Sequence, residues 1–257
     1  MNGNSLVSNL AKQKVRLDER KNFDGYREVK IEYGLSENAS ASAKVTLGDT
    51  QVVCGVKFDV DKPFPDSEDQ GVLITNAEFC PMASPDFEPG PPREDAIELA
   101  RVVDRGIRES KAIDFNSLCI KKGEKVWVVF VDIYVLNHDG NLIDAAALAA
   151  IAALNKAVLP AYDSEKEMVD KEKQGKEKLK LTCLPIACTF GKFDDIILPD
   201  PCLLEEEQMK ARITVTTTEK DIHSIQLGGS EGMTVNEINS CVEKAFELSK
   251  DLRKSLK

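Results

Sequence analysis

The stretch from Val126 to Leu154, VWVVFVDIYVLNHDGNLIDAAALAAIAAL, constrains this chain more than any other. Its first part is an apolar, β-branched run that predicts a buried strand. Asn137-His138-Asp139-Gly140-Asn141 predicts a tight turn, and the alanine run beyond it a helix small enough to pack closely against that strand. A helix opening just after a strand and turn presents free backbone N–H groups and the positive end of its dipole, which makes a ready anion site. A phosphate cradle also wants glycines, hydroxyls in the first helical turn and a cation nearby. Here Leu142 and Ile143 fill that turn and Asp144 adds a negative charge, so the residues favour a plain turn over a working phosphate site.

Around this centre the chain alternates hairpins with amphipathic helices. Ser5–Val15 reads as a short helix with Ser5 as N-cap. The charged stretch Arg16–Val29 follows, then strands at Val29–Tyr33, Ala43–Thr46, Gln51–Val60 and Val72–Phe79. Phe87–Pro92 breaks the chain before a helix over Arg93–Lys111, whose apolar face is Ala96, Leu99, Ala100, Val103 and Ile107. Asp163–Lys180 is nearly all charged and reads as an exposed loop or solvated hairpin. Strands follow at Leu181–Phe190, Asp195–Leu198, Arg212–Thr218 and His223–Leu227. A last helix is capped by Thr234 with Glu237 in a capping box, and its buried side is Val235, Ile238, Val242, Phe246, Leu248, Leu252 and Leu256. The expected class is therefore α+β: one domain over residues 1–257, with pseudo-repeated halves at 16–112 and 180–256 joined through 126–159.

Composition narrows the function classes. The chain has 257 residues and a net charge of −10, which argues against a sequence-independent nucleic-acid coat but leaves room for a local basic stripe. No apolar run is long enough for a membrane span, and Met1–Val15 lacks the apolar core of a signal peptide, so a cytoplasmic location without membrane contact is expected. Seven dispersed cysteines without a C-x-x-C pair predict reduced thiols. His138 and His223 lack metal-ligand spacing, and no metal or cofactor is expected.

Three further features carry candidate chemistry. Arg101, Arg105 and Arg108 fall on one stripe of their helix, a pattern that suits a phosphate backbone but equally suits a solvated face neutralised by Glu94, Glu98 and Asp104. Asp194, Asp195 and Asp200, with Glu205-Glu206-Glu207, hint at a carboxylate pair. The prolines at 199 and 201 break the first cluster, and the Glu triplet reads as a turn surface. In Pro81–Pro92 the lone aromatic, Phe87, is a packing anchor by default and a stacking platform otherwise.

Five segments in order strongly resemble the RNase PH superfamily: RLDERKNFDGYREV, ASAKVTLGDTQVVCGVKFDV, EPGPPREDAIELARVVDRGIRESKAID, the central stretch above and FDDIILPDPCLLEEEQMKARITVT. Within it the resemblance is to the larger, non-catalytic RNase-PH-like subunit of the archaeal exosome. It implies a fold of two pseudo-symmetric β-α units and a hexameric ring of three heterodimers with a catalytic RNase-PH-like partner. Also implied are RNA-binding cap subunits and single-stranded RNA shortened from its 3′ end by phosphorolysis. It gives Arg101 and Arg105 an RNA-facing role, with Arg108 and Arg93 as weaker candidates.

The departures from the family pattern set the expected role. Active members carry Gly-Ser or Gly-Thr where this chain has Gly140-Asn141-Leu142, a degenerate phosphate site. They carry two aspartates six residues apart at positions that fall on Glu206 and Arg212 here. An arginine in such a place cannot act as a general acid or hold a magnesium ion, so no catalytic residue is expected. Two rivals stand beside a non-catalytic RNA-binding subunit. One is an active phosphate-dependent exoribonuclease with a rearranged pair, Asp200 and Glu206; the other is a structural ring scaffold without RNA contacts.

Overall fold

The computed structural model describes residues 6–163 and 168–256. Helix α1 (Leu6–Ala11) buries Val7 and Ala11 against Phe193 and Leu198; its expected cap Ser5 lies outside the described residues. Strands β1 (Val29–Tyr33), β2 (Ala41–Leu47), β3 (Thr50–Asp61) and β4 (Val72–Phe79) precede helix α2 (Glu94–Glu109). A 3-10 turn (Phe115–Leu118) leads into β5 (Cys119–Lys121) and the long β6 (Lys125–Asn137). Helix α3 (Leu142–Lys156) is followed by the β7 (Val158–Asp163) and β8 (Met168–Lys178) hairpin. The chain continues with β9 (Ile186–Phe193), β10 (Ile196–Pro199), the one-turn helix α4 (Leu203–Glu206), β11 (Ala211–Thr217), β12 (Ile222–Gly229) and helix α5 (Val235–Lys254).

The first sheet has the order β1-β2-β3-β6-β4, with β5 on the end of β6. Its pairs are antiparallel except β4 with β6, which run parallel because α2 and the loop before it intervene in the chain. The second sheet, β10-β9-β11-β12, is wholly antiparallel. The strand β6 is thus a central member of the first sheet, and α3 lies against β2 and β3 on one side and against β9 and α2 on the other. That double contact explains the alanines. Ala145, Ala146, Ala149, Ala150, Ala152 and Ala153 are all fully buried, so from Leu142 to Leu154 the helix is enclosed nearly all round and larger side chains would push its neighbours apart.

Two sequence expectations are corrected here. The strand expected from Leu181 starts at Ile186 instead, because Pro185 lacks an N–H and restricts Leu184; Leu181 makes only an isolated bridge to Ile113. On α5 the buried line is Cys241, Ala245, Ser249 and Leu252, with Leu256 beyond the helix end. Val235 sits in the first turn and is 72% exposed; Ile238, Val242 and Leu248 pack on the flank of the core. Most of the charged stretch after α3 forms strand β8, paired antiparallel with β7, and residues 164–167 lie outside the described residues. The remaining strands, α2 with its apolar face, and the Thr234–Glu237 capping box lie within a few residues of expectation.

Candidate functional site

The turn between β6 and α3 is held by what surrounds it. Gly140 has φ +83, and a Cβ there would meet Cys202 C and Leu203 N at 2.5 Å, so only glycine lets the turn lie against the segment before α4. Its carbonyl accepts from Thr50 Oγ1 at 2.7 Å and from Arg27 Nη2 at 3.2 Å. Asn141, the N-cap of α3, sits in the left-handed region at φ 54. Asparagine tolerates that conformation better than most residues. Its side chain does not cap the helix; Nδ2 donates instead to Asp144 Oδ2 at 2.9 Å and to Asp200 Oδ1 at 2.8 Å.

A buried polar network radiates from these two carboxylates. Asp144 also accepts from Tyr26 Oη at 2.6 Å, Thr189 N at 2.8 Å and Thr189 Oγ1 at 2.7 Å. Burial pushes its carboxyl up to about 6, with the hydrogen bonds from Tyr26, Asn141 and Thr189 pulling the other way. It therefore points into the core; its expected role as a charge repelling an anion at the turn is corrected. Asp200 is fully buried between Arg27, which donates from Nε and Nη2 at 3.0 and 2.8 Å, and Arg20, whose Nη1 lies at 2.8 Å. Burial alone would raise the Asp200 carboxyl; the hydrogen bonds and charge of Arg27, with Arg20, hold it below its ordinary value.

The Glu triplet is not a turn surface. Glu205 is fully buried and paired with Arg16, Glu206 is partly buried, and only Glu207 is exposed. Glu206 reaches across so that its Oε1 accepts from Asn141 N at 2.9 Å, the first amide of the α3 entrance. It lines a cavity of about 270 Å³ with Asn141, Leu142, His138, Glu98, Asp95 and Arg212. Burial pushes the Glu206 carboxyl up to about 7. The Asn141 amide and the charges of Arg212 and Arg27 offset that in part, and Asp200 adds to it. Arg212 Nη2 donates to Glu98 Oε1 at 2.6 Å. Asp200 and Glu206 lie on different groups of Asn141, the first on its side chain and the second on its backbone. They do not converge as a pair on the cavity, and Asp200 is not part of its lining.

Phe87 serves as a packing anchor. Its ring stacks on His138 at 5.4 Å with planes 12° apart, meets Phe79 at 4.7 Å, and forms the aromatic wall of the cavity. Among the described residues no three His, Cys, Asp or Glu side chains converge as a metal set.

The arginines of α2 divide into two groups. Arg101 and Arg105 are exposed on a groove between α2 and β12 that Glu98, Val102 and Gln226 also line. Arg105 Nη1 donates to Gln226 Oε1 at 3.2 Å, and Arg101 has no hydrogen bond or ion pair among the described residues. Arg108 turns toward β4: it bonds Asp104 through two nitrogens at 3.0 Å and Leu73 O at 3.3 Å, and lies over the Phe115 ring. Arg93, just before α2, is ion-paired with Glu88. Glu98 lines both the arginine groove and the cavity beside α3, so the two features adjoin.

Sequence reasoning missed Arg16, Arg20 and Arg27, which read only as a charged stretch and prove to anchor the whole network. Their separation from Glu205 and Asp200 in the chain hides the pairing. The usable signal was the concentration of arginine, rather than lysine, in a short loop.

The sequence profile described as the 3′ exoribonuclease family, domain 1, matches residues 25–160, and domain 2 of the same family matches residues 183–247. The chain is 46% identical over 250 residues to exosome complex component Rrp42 of Pyrococcus horikoshii, covering 96% of this chain and 91% of that one. It is 47% identical to the Rrp42 of Methanocella arvoryzae, covering 97% and 94%. Among solved structures, one described as the Archaeoglobus fulgidus exosome with RNA bound to the active site superimposes with a TM-score of 0.89. It is 42% identical and the match covers 98% of this chain and 96% of that one. No described helix is long and apolar enough to cross a membrane.

Proposed function

The chain belongs to the RNase PH family of 3′ exoribonucleases and has its α+β fold, and from that premise we infer that it is a non-catalytic ring subunit of an archaeal exosome. It alternates with a catalytic RNase-PH-like partner as three heterodimers, under RNA-binding caps. Within it, 16–112 and 180–256 are the repeated halves of one domain. It holds single-stranded RNA for the partner's site through Arg101 and Arg105, with Arg108 and Arg93 in lesser roles.

One observation supports the non-catalytic part of this reading above all. At the positions where active members carry phosphate ligands and an aspartate pair, the Asn141 amide is taken by Glu206, and Arg212 is engaged by Glu98. An arginine committed to a carboxylate supplies neither a general acid nor a metal ligand. The rearranged pair of the active-enzyme alternative fares no better, because Asp200 is locked between Arg20 and Arg27 behind the turn. Relatives of this chain carry the exosome name over nearly their whole length, which supports the assembly.

Arg101 and Arg105 support the RNA part: they are exposed on one groove, and their guanidiniums are the ones on α2 without an internal carboxylate. The decisive experiment measures phosphate-dependent shortening of RNA by this chain alone, by its catalytic partner alone and by the mixture. Activity is expected in the mixture and absent from this chain; robust activity from this chain alone would overturn the reading.

A further inference from the structure

An amide at a helix entrance, a cavity in front of it and an arginine in the cavity lining form the outline of an anion site. In this chain a side chain stands inside that outline. Glu206 Oε1 lies 2.9 Å from Asn141 N, and the carboxylate shares the cavity wall with Arg212. A carboxyl oxygen accepting that amide takes the hydrogen bond that a phosphate oxygen would take there.

A second, independent observation comes from the polar atoms. Among the described residues, two buried side-chain nitrogen or oxygen atoms lack a hydrogen-bond partner, Asn141 Oδ1 and Arg212 Nε, and both residues line this one cavity. Buried polar atoms are almost always satisfied. Of the two, Asn141 Oδ1 is an acceptor and offers an anion nothing, whereas Arg212 Nε is a donor that an anion would meet once the Asn141 amide was freed of Glu206.

We propose that the Glu206 carboxyl occupies the degenerate phosphate cradle of this chain and closes the entrance of α3 to inorganic phosphate. Leu142 and Ile143 contribute apolar surface to the same wall, but they do not cover the amide; Glu206 does. The consequence for the assembly is that phosphate is bound where the partner acts and is not also held at a site without chemistry. The proposal deepens the non-catalytic reading and rests on it for the identity of the excluded anion.

The test is a titration of the full chain with inorganic phosphate, using chloride at matched ionic strength as control and the backbone amide resonance of Asn141 as readout. The Asn141 resonance of the wild-type chain is expected to stay unmoved. In Glu206→Ala it is expected to shift saturably, with phosphate affinity at least on the order of tenfold above the wild-type limit. Glu206→Gln keeps the side-chain volume and removes the charge. Because its Oε1 still accepts from the Asn141 amide, it is expected to stay closed like the wild-type chain; Glu206→Ser, too short to reach the amide, is expected to shift as the alanine variant does and carries the test alone if that variant does not fold. The proposal fails if wild-type Asn141 responds to phosphate as the truncated variants do, or if a folded Glu206→Ala or Glu206→Ser variant shows no response. Neither result depends on RNA or the partner, so failure here is separate from failure of the non-catalytic assignment, which the phosphorolysis assay reads.

Discussion

Arg16 and Glu205 meet through two hydrogen bonds, Nε to Oε1 at 2.8 Å and Nη2 to Oε2 at 2.6 Å, with both side chains wholly withdrawn from water. Arg16 also donates to the carbonyls of Phe23, Pro199 and Asp200. Glu205 accepts from Leu17 N and Cys202 N. The pair thereby clamps the N-terminal stretch onto the segment that carries Glu206. Removing one member leaves the other charged and buried, which costs about 3–5 kcal/mol. Arg16→Ala and Glu205→Gln are each expected to lower the urea midpoint of the full chain sharply. The double variant Arg16→Met with Glu205→Leu should recover part of the loss, because no buried charge remains. A double variant no more stable than either single variant would mean that the pair is not coupled.

Gly140 tests how tightly the degenerate cradle is built. An alanine there would need φ near +83 and would drive its Cβ into backbone atoms of Cys202 and Leu203, which cannot swing aside as a flexible side chain could. Gly140→Ala is expected to destabilise by about 3 kcal/mol or more. It should also displace Asn141 relative to Glu206. A thermal midpoint within a degree or two of wild type would show that the turn has slack the geometry denies.

What the sequence made legible, and what it hid, follows from range. The alternation in Thr50–Asp61 and the helical period of α2 are local signals, and both elements sit where local chemistry puts them. Ala145–Leu154 was readable as a closely packed helix because no other use explains so many alanines. The buried network was not readable. Glu205 and Asp200 sit among prolines and other acids that look like surface, and their partners Arg16, Arg20 and Arg27 lie at the other end of the chain. Charge alone does not say whether a residue is paired indoors or solvated outdoors. For the same reason the stripe Arg101, Arg105 and Arg108 looked uniform, although Asp104 and Phe115 claim the last of the three.

Stability should depend on pH from two sides. Asp200 and Glu205 are held below their ordinary values by their arginines, although burial works against this, so their contribution is present above the ordinary carboxylate range and is lost as pH falls through their lowered values. Glu206 and Asp144 behave oppositely. Burial raises them to about 7 and about 6, so their contribution is complete below the ordinary range and is lost as pH rises through those values. Urea midpoints are therefore expected to peak on the mildly acidic side of neutrality and to decline toward neutral pH. Glu206→Gln removes one of the two groups behind that decline. It should flatten the slope between about pH 5 and 7.5 and gain about 2 kcal/mol at the upper end, after allowing for the solvent-exposed part of the side chain. A slope unchanged in Glu206→Gln would show that Glu206 is charged throughout.

The arginines of α2 give the most direct reading of the RNA assignment. Arg101 and Arg105 face the open groove, and neither is held by a carboxylate. Each guanidinium that meets an RNA phosphate releases bound counterions, so each removed should lower the salt dependence of binding by about 0.7 in the log–log slope for a single strand. Arg101→Ala with Arg105→Ala, in the ring assembled with the catalytic partner, is expected to weaken binding of labelled single-stranded RNA by about 1 kcal/mol or more per arginine. The slope should fall by about 1.4. Arg108→Ala and Arg93→Ala should change the slope less, because Asp104 and Glu88 already neutralise those side chains. The ring should assemble unaltered in all of these variants, as judged by mass, since α2 buries its opposite face through Leu99, Val103 and Ile107. Fluorescence anisotropy at a series of salt concentrations measures both quantities. Unchanged affinity and slope in the double variant would leave the groove as a solvated surface and remove RNA from the account of this helix.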